Sequence, residues 1–199
     1  MDRELLVQKI FSGIVPKNTG FIYLFGDKER DESLVFNKAL EMSKNGFLVG
    51  ISRHPGGNGY TGYRDWSNKL RQIGVAPLFP VPQGEPWEKD ADVPADMITE
   101  VRSLANFAEG TGTIRFGIMT SSPSRQLEAL LLVIKKIKEI EVGSNPPENQ
   151  KMKVYSVAPR WSTELINAEI AGLEENDLVI ISEYLEWRDQ NAEAPAVRS

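Results

Sequence analysis

The stretch TIRFGIMTSSPSRQLEALLL, Thr113 to Leu132, constrains this chain most, because it reads as a strand, a hydroxyl-rich turn and a helix in direct succession. Ile114, Phe116 and Ile118 are apolar and β-favouring. Thr120, Ser121 and Ser122 come where the strand should end, and Leu127, Leu130, Leu131, Ile134 and Ile137 recur at helical spacing. In an open α/β sheet the ligand crevice lies beyond the carboxyl ends of the strands. Three hydroxyls followed by a helix start are therefore a candidate cradle for an anion or polar ligand, since unpaired N–H groups at the helix start add to the hydroxyl donors.

The same alternation runs through the chain. Phe21 to Phe25 is a nearly continuous apolar run, as in a strand buried on both faces. A helix over 31–45 follows, with Leu34, Val35, Ala39, Leu40 and Met42 as its stripe and Gly46 as its stop. Phe47 to Ser52 is the second strand, Tyr63 to Ile73 a helix stopped by Gly74, and Ala76 to Val81 the third strand. After a Pro-rich loop at 83–95 come a helix (95–109), a fourth strand (114–120), a helix (124–140), a fifth strand (152–157) and a mostly helical 162–188. Within the last segment, the β-branched residues of Asp177 to Ile181 favour a strand and the flanking Glu-rich periodicity favours a helix; helix is the expectation. Residues 2–14 form an amphipathic helix candidate with Leu5, Leu6, Ile10 and Phe11 on one side, broken at Pro16. This order predicts an α/β three-layer sandwich around a mostly parallel five-stranded sheet. A single domain is expected over 1–190, with a disordered tail at 191–199.

Composition closes off several chemistries. A chain of 199 residues suits one domain with a substantial core. A net charge of -5 gives no reason to expect nucleic-acid binding, and the cluster Lys135-Lys136-Lys138 reads as a solvated helix face. Cysteine is absent, which removes disulfides, thiol nucleophiles and thiolate metal sites. One histidine, His54, is too few for a multi-histidine zinc site, so no metal is expected. No apolar run has bilayer-spanning length, and Met1-Asp2-Arg3-Glu4 is unlike a secretory signal, so the cytoplasm is the expected compartment and no membrane partner is expected.

The loop Ser52 to Tyr60 follows the second strand and carries Gly56, Gly57 and Gly59, which permit a tight backbone with exposed N–H groups suited to a phosphate or carboxylate. Arg53 is placed to clamp an anion and His54 is a candidate acid or base; the alternative is a loop that needs glycine only for its turns. No Gly-Lys-Ser/Thr follows, so this is not a Walker A loop. The first βα turn, Gly26 to Asp31, lacks the GxGxxG fingerprint, which argues against NAD in the usual manner. Asp27 and Glu85 each stand just beyond a strand: Asp27 is a helix cap or a ligand contact, Glu85 a candidate general base. Trp66, Trp87 and Trp161 are core or pocket wall, with Trp87, in a polar loop, the candidate lid residue.

The order of these parts resembles the YdcF-like family, which includes SanA and ElyC. The matching pieces are Leu24-Phe25-Gly26, Ile51-Ser52 with Gly56-Gly57, Ile73-Gly74-Val75, Glu85, Thr99-Glu100, and Ser121-Ser122 with Ala129 to Leu132, across most of 20–160. There are departures. The family's last-motif histidine falls on Arg125 and its arginine on Glu128, and its Asn-Thr-x-Glu-Asn element is reduced to Ile98-Thr99-Glu100-Val101. The resemblance implies a Rossmann-like domain whose crevice binds a nucleotide-like small molecule, with S-adenosylmethionine a proposed ligand in relatives. The cofactor is otherwise unspecified.

Two functions follow as expectations. In the first, an anionic or nucleotide-like ligand sits over Gly26, Asp27, Ser52, Gly56, Gly57, Thr99 and Thr120 to Ser122, with Arg53 and Arg125 holding negative charge. Any hydrolysis or group transfer would then use Glu85 or His54 as base. In the second, the site is degenerate and the chain is a non-catalytic interaction or sensing module, its C-terminal helix meeting a partner or a second copy. Glu164, Glu169, Glu174 and Glu175 give that segment an acidic side, which is otherwise plain solvated surface.

Overall fold

The apolar run at 21–25 becomes the centre of a parallel sheet in the computed structural model, which describes residues 5, 7, 10–11, 15–16, 19–25, 32–51, 61–78, 114–144, 151–171 and 175–190. β1 (Phe21–Leu24) pairs in parallel with β2 (Leu48–Ile51) on one side and with β3 (Ile114–Met119) on the other. β4 (Met152–Ser156) lies beyond β3, again parallel, so the strand order is β2-β1-β3-β4. The helices are α1 (Glu32–Lys44), α2 (Tyr63–Gln72), α3 (Pro123–Ser144), α4 (Thr163–Ile170) and α5 (Glu175–Gln190). Asp177 to Ile181 is helical, as expected.

The sheet has four strands among the described residues, not the five that the sequence predicts. The description of Ala76 to Val81 ends at Leu78, which makes one parallel bridge to Gly50 and donates its N–H to the Val49 carbonyl at 2.7 Å. A single bridge is contact with the outer side of β2, not a strand. The predicted helix at 95–109 and the tail at 191–199 lie outside the described residues.

The order dictates where the helices go. From β1 to β2 the chain steps one way across the sheet, and from β3 to β4 it steps the other way. Parallel crossovers are right-handed, so α1 and α3 must cover opposite faces. The cores agree. Ile22, Leu24, Val49, Ile51 and Met119 pack with Val35, Ala39, Trp66 and Leu70 of α1 and α2. Phe21, Tyr23, Phe116, Ile118, Met152 and Val154 pack with Leu130, Val133, Ile137, Ile181 and Tyr184 of α3 and α5. A strand read as an unbroken apolar run thus feeds two cores by simple alternation.

Two glycines are needed where they stand. Gly74 has φ 89°, and the N–H groups of Gly74 and Val75 close α2 on the carbonyls of Arg71 and Leu70 at 3.0 and 2.9 Å. Gly117 faces the α1/α2 core, where an added Cβ would lie 2.5 Å from Val157 Cγ2 and 3.3 Å from Ile22 Cγ1. The N-terminal apolar face predicted from Leu5, Leu6, Ile10 and Phe11 holds at Ile10 and Phe11 but not at Leu5, and Leu6 lies outside the described residues. Val7 and Ile10 are buried and Phe11 is half-buried, whereas Leu5 is exposed.

The open edge of β4 is covered by side chains. In a parallel ladder alternate N–H groups point away from the partner strand. Val154 N–H donates to the Tyr184 hydroxyl oxygen at 2.7 Å, and Met152 N–H to Glu141 Oε1 at 3.4 Å. Arg188 lies over the Tyr155 ring at 4.7 Å, so α5, which packs on the α3 face, also reaches the edge of β4. Lys135 and Lys138 of α3 pair with Asp177 and Glu183 of α5 at 3.5 and 4.0 Å, which offsets part of the basic cluster. No helix among the described residues is long and apolar enough to cross a membrane.

Burial pushes the Tyr184 phenol well above its ordinary pKa. The unfolded chain can ionise it near pH 10 while the folded chain cannot, so stability falls as pH rises through that region. Tyr184→Phe keeps the ring but strands the Val154 N–H. Urea unfolding of this variant is expected to show a loss of about 1–3 kcal/mol at neutral pH and a flatter alkaline limb; an unchanged midpoint would show that water replaces the hydroxyl.

Candidate functional site

The parallel order brings the carboxyl ends of all four strands to one rim, and β1 and β3 are the pair from which the chain departs in opposite directions. The pairing continues one step past β1, with Phe25 N–H donating to Met119 carbonyl oxygen at 2.9 Å. Beyond it stand Thr120, Ser121 and Ser122, all buried, and then α3. A crevice at such a switch point is where open α/β sheets hold ligands.

The hydroxyls here are already engaged. Ser122 caps α3: its Oγ accepts from Arg125 N–H at 3.3 Å, with Pro123 at the first helical position, where the missing N–H costs nothing. Gln126 N–H reaches the Ser122 carbonyl at 3.0 Å. Thr120 Oγ1 donates to that same carbonyl at 2.8 Å. Ser124, in the first turn, donates both its N–H (3.1 Å) and its hydroxyl (3.0 Å) to Glu169 Oε2 from α4. The first turn of α3 therefore meets a carboxylate from its own chain at the place where the sequence suggests an external anion. Ser121, only 5 % exposed, shows no such engagement among the described residues.

Gln126 organises the rim, although no motif in the local sequence marks it as a site residue. Fully buried, it accepts from Thr120 N–H at 2.8 Å and donates to the Ile118 carbonyl at 2.8 Å and Ser156 Oγ at 3.1 Å. One side chain on α3 thus ties the ends of β3 and β4 together. Its signal was its place: Gln126, Leu130, Val133 and Ile137 form one buried stripe at helical spacing, headed by an amide among leucines.

Arg125 is half-buried, and its Nη1 pairs with Glu128 Oε2 at 3.2 Å, so its charge faces a carboxylate within the helix. Gly26, Asp27, Ser52, Arg53, His54, Gly56, Gly57, Glu85, Trp87 and Thr99 lie outside the described residues. Trp66 is core, edge-on to Phe36 at 5.2 Å, and Trp161 is half-buried and edge-on to Phe11 at 5.4 Å.

A second polar cluster binds α1 to α2 near their first turns. Glu32 Oε1 accepts from the buried Trp66 indole N–H at 2.6 Å, and Glu32 Oε2 pairs with Lys69 Nζ at 2.7 Å. Lys69 also meets Asp65 Oδ2 at 2.7 Å, and Asp65 accepts from the Thr61 hydroxyl. Hydrogen bonds from Lys69 and Thr61 hold the Asp65 carboxyl below its ordinary range, and those to Asp65 and Glu32 raise Lys69. A lysine so raised stays protonated at neutral pH and cannot serve as a nucleophile.

Comparison with protein-family models, with curated proteins and with solved structures finds no match to this chain.

Two substitutions test this geometry. Gln126→Leu conserves volume but strands the Thr120 N–H and the Ser156 hydroxyl, each worth about 1–3 kcal/mol when left unsatisfied, while the Ile118 carbonyl keeps its bond from Val157 N–H at 2.8 Å. Denaturant unfolding should show a loss of at least about 2 kcal/mol by that rule, and a loss within error of zero would mean that the rim does not depend on this side chain. For the second cluster, carboxyl NMR titration of Lys69→Met should return Asp65 toward its ordinary pKa. The depressed carboxyl supports folding above its unfolded pKa and withdraws that support as pH falls, so this variant should lose less stability on acidification.

Proposed function

We propose that this chain is a Rossmann-like α/β domain that binds an anionic, nucleotide-like small molecule at the rim beyond β1 and β3. One observation carries the reading: β1 has parallel neighbours on both sides, and the crossovers from β1 and β3 leave in opposite directions. The Leu78 bridge outside β2 supports it, because it puts a further segment where the third strand of a doubly wound sheet belongs. The resemblance to YdcF-like domains supports the same class of ligand, with S-adenosylmethionine among the candidates. In this reading Ser121 is the rim hydroxyl left for the ligand, Gly26, Ser52, Gly56, Gly57 and Thr99 line the crevice, and Arg53 and Arg125 hold negative charge. Where the ligand is hydrolysed or transferred, Glu85 or His54 takes the proton.

A second reading has its own support. The first turn of α3 is bonded to Glu169, and Arg125 faces Glu128. A site whose donors are satisfied internally fits a non-catalytic interaction or sensing module, with α5 meeting a partner or a second copy.

A thermal-shift series with ATP, S-adenosylmethionine and sugar phosphates separates the two. A ligand that binds only the folded chain stabilises it by mass action, about 2.7 kcal/mol at a hundred times its Kd. A rise with at least one of them is the expected result. Arg125→Ala and Arg53→Ala should then each weaken binding by about 1.5–3 kcal/mol. Stabilisation by none of these ligands, with self-association in sedimentation, would favour the second reading.

A further inference from the structure

The chain segment after β4 returns across the rim as α4, and its attachment is unusual. The helix has 8 residues, and none of the side chains described in it is buried. A helix this short does not persist in water by its own propensity. Ser162 caps its start, with Oγ accepting from Leu165 N–H at 3.2 Å, and Ile166 packs partly against the α3/α5 core. Near its far end, Glu169 accepts two hydrogen bonds from Ser124, in the first turn of α3 and two residues past Ser122. The helix thus lies against α3 with Ile166 half-buried and no described side chain fully buried, and it is tied by a charged side chain to the rim itself.

We propose that α4 is a releasable strap at the rim of the crevice, latched by Glu169 on Ser124, and that its release uncovers the end of β3 at Ser121. The latch stands on the geometry of α4 alone, while its use as a gate rests on the crevice reading above. Local opening of this kind draws on segments with little buried apolar surface, and none of the described α4 side chains is fully buried. Closure by a carboxylate on a helix start is favourable enough to hold the strap and weak enough to let it open.

Two measurements on the full chain test it without a ligand. In hydrogen exchange, peptides covering Thr163 to Ile170 should exchange roughly tenfold faster in Glu169→Gln than in the wild type, with a smaller rise in Ser124→Ala, which keeps the backbone donor. Exchange in β1 and β3 should not move. In thiol labelling, Ser121→Cys supplies the only thiol in a cysteine-free chain. An aromatic disulfide reagent should label it roughly tenfold faster when Glu169→Gln is added, as expected for a minor open state that becomes populated. Unchanged exchange in α4 would overturn the latch, and so would a rise spread evenly over the sheet, which would mark Glu169 as a global structural contact. Faster exchange in α4 with unchanged labelling at Ser121→Cys would overturn the gate. None of these results depends on nucleotide binding, so a negative ligand screen would remove the crevice reading and leave the strap to be judged on its own.

Discussion

β1 has a parallel partner on each side and an apolar core on each face, and most of the architecture follows from holding it there. Its backbone N–H and C=O groups find partners in β2 and β3, which lets Ile22, Tyr23 and Leu24 be fully buried without stranded polar groups. Placing β1 between strands that come later in the chain forces the two crossovers apart. Right-handedness then assigns α1 to one face and α3 to the other, and α2 and α5 pack beside them in the same two cores. The divergence puts the switch point between the carboxyl ends of β1 and β3.

The fold was legible because its signals are repetitive. Strands at 21–25, 47–52, 114–120 and 152–157 were read within a residue or two, since short apolar runs bounded by turn residues recur between amphipathic stretches. Gly46 and Gly74 were read as helix stops, and both have positive φ. The third strand is not among the four: of Ala76 to Val81 only the part up to Leu78 is described, and Leu78 makes one parallel bridge to Gly50. The inner face of the N-terminal helix was misread at Leu5 because the apolar residues there are crowded, and periodicity cannot choose between Leu5 and Val7. The site was less legible still. Position at a strand end pointed to Thr120, Ser121 and Ser122, but composition carries no record of which hydroxyls are already bonded. Glu169 looked like solvated surface because its partner lies 45 residues earlier in the chain.

The edge of the sheet shows the same dependence on distant partners. β4 would present unpaired N–H groups to solvent or to another strand. Tyr184 and Glu141 accept two of them, from residues that local patterning assigns to a helix core and a helix surface. Covering the edge in this way couples α5 to the sheet through a buried hydrogen bond rather than through packing alone. The ion pairs from Lys135 and Lys138 to α5 add little individually at their exposure. Burial of Ile181, Tyr184 and Leu185 is the larger attachment.

At the rim, the groups that the proposed ligand would need are already engaged in polar satisfaction. Gln126 takes the Thr120 N–H, Ser122 takes the Arg125 N–H, and Glu169 takes the Ser124 N–H and hydroxyl. These bonds differ in how readily they can be exchanged. The Gln126 bonds are fully buried and join two strand ends, so breaking them strands the Thr120 N–H and the Ser156 hydroxyl together, although the Ile118 carbonyl keeps Val157 N–H. The Ser122 cap is local to its own helix turn. The Glu169 bond alone joins the rim to an element with no buried side chain among those described. An anion that approached this end would meet a carboxylate already on the helix start, and two negative charges there repel. Under the proposed reading, recognition of a negatively charged ligand would require α4 to leave, so the attachment of one short helix would matter to access more than the hydroxyl run does.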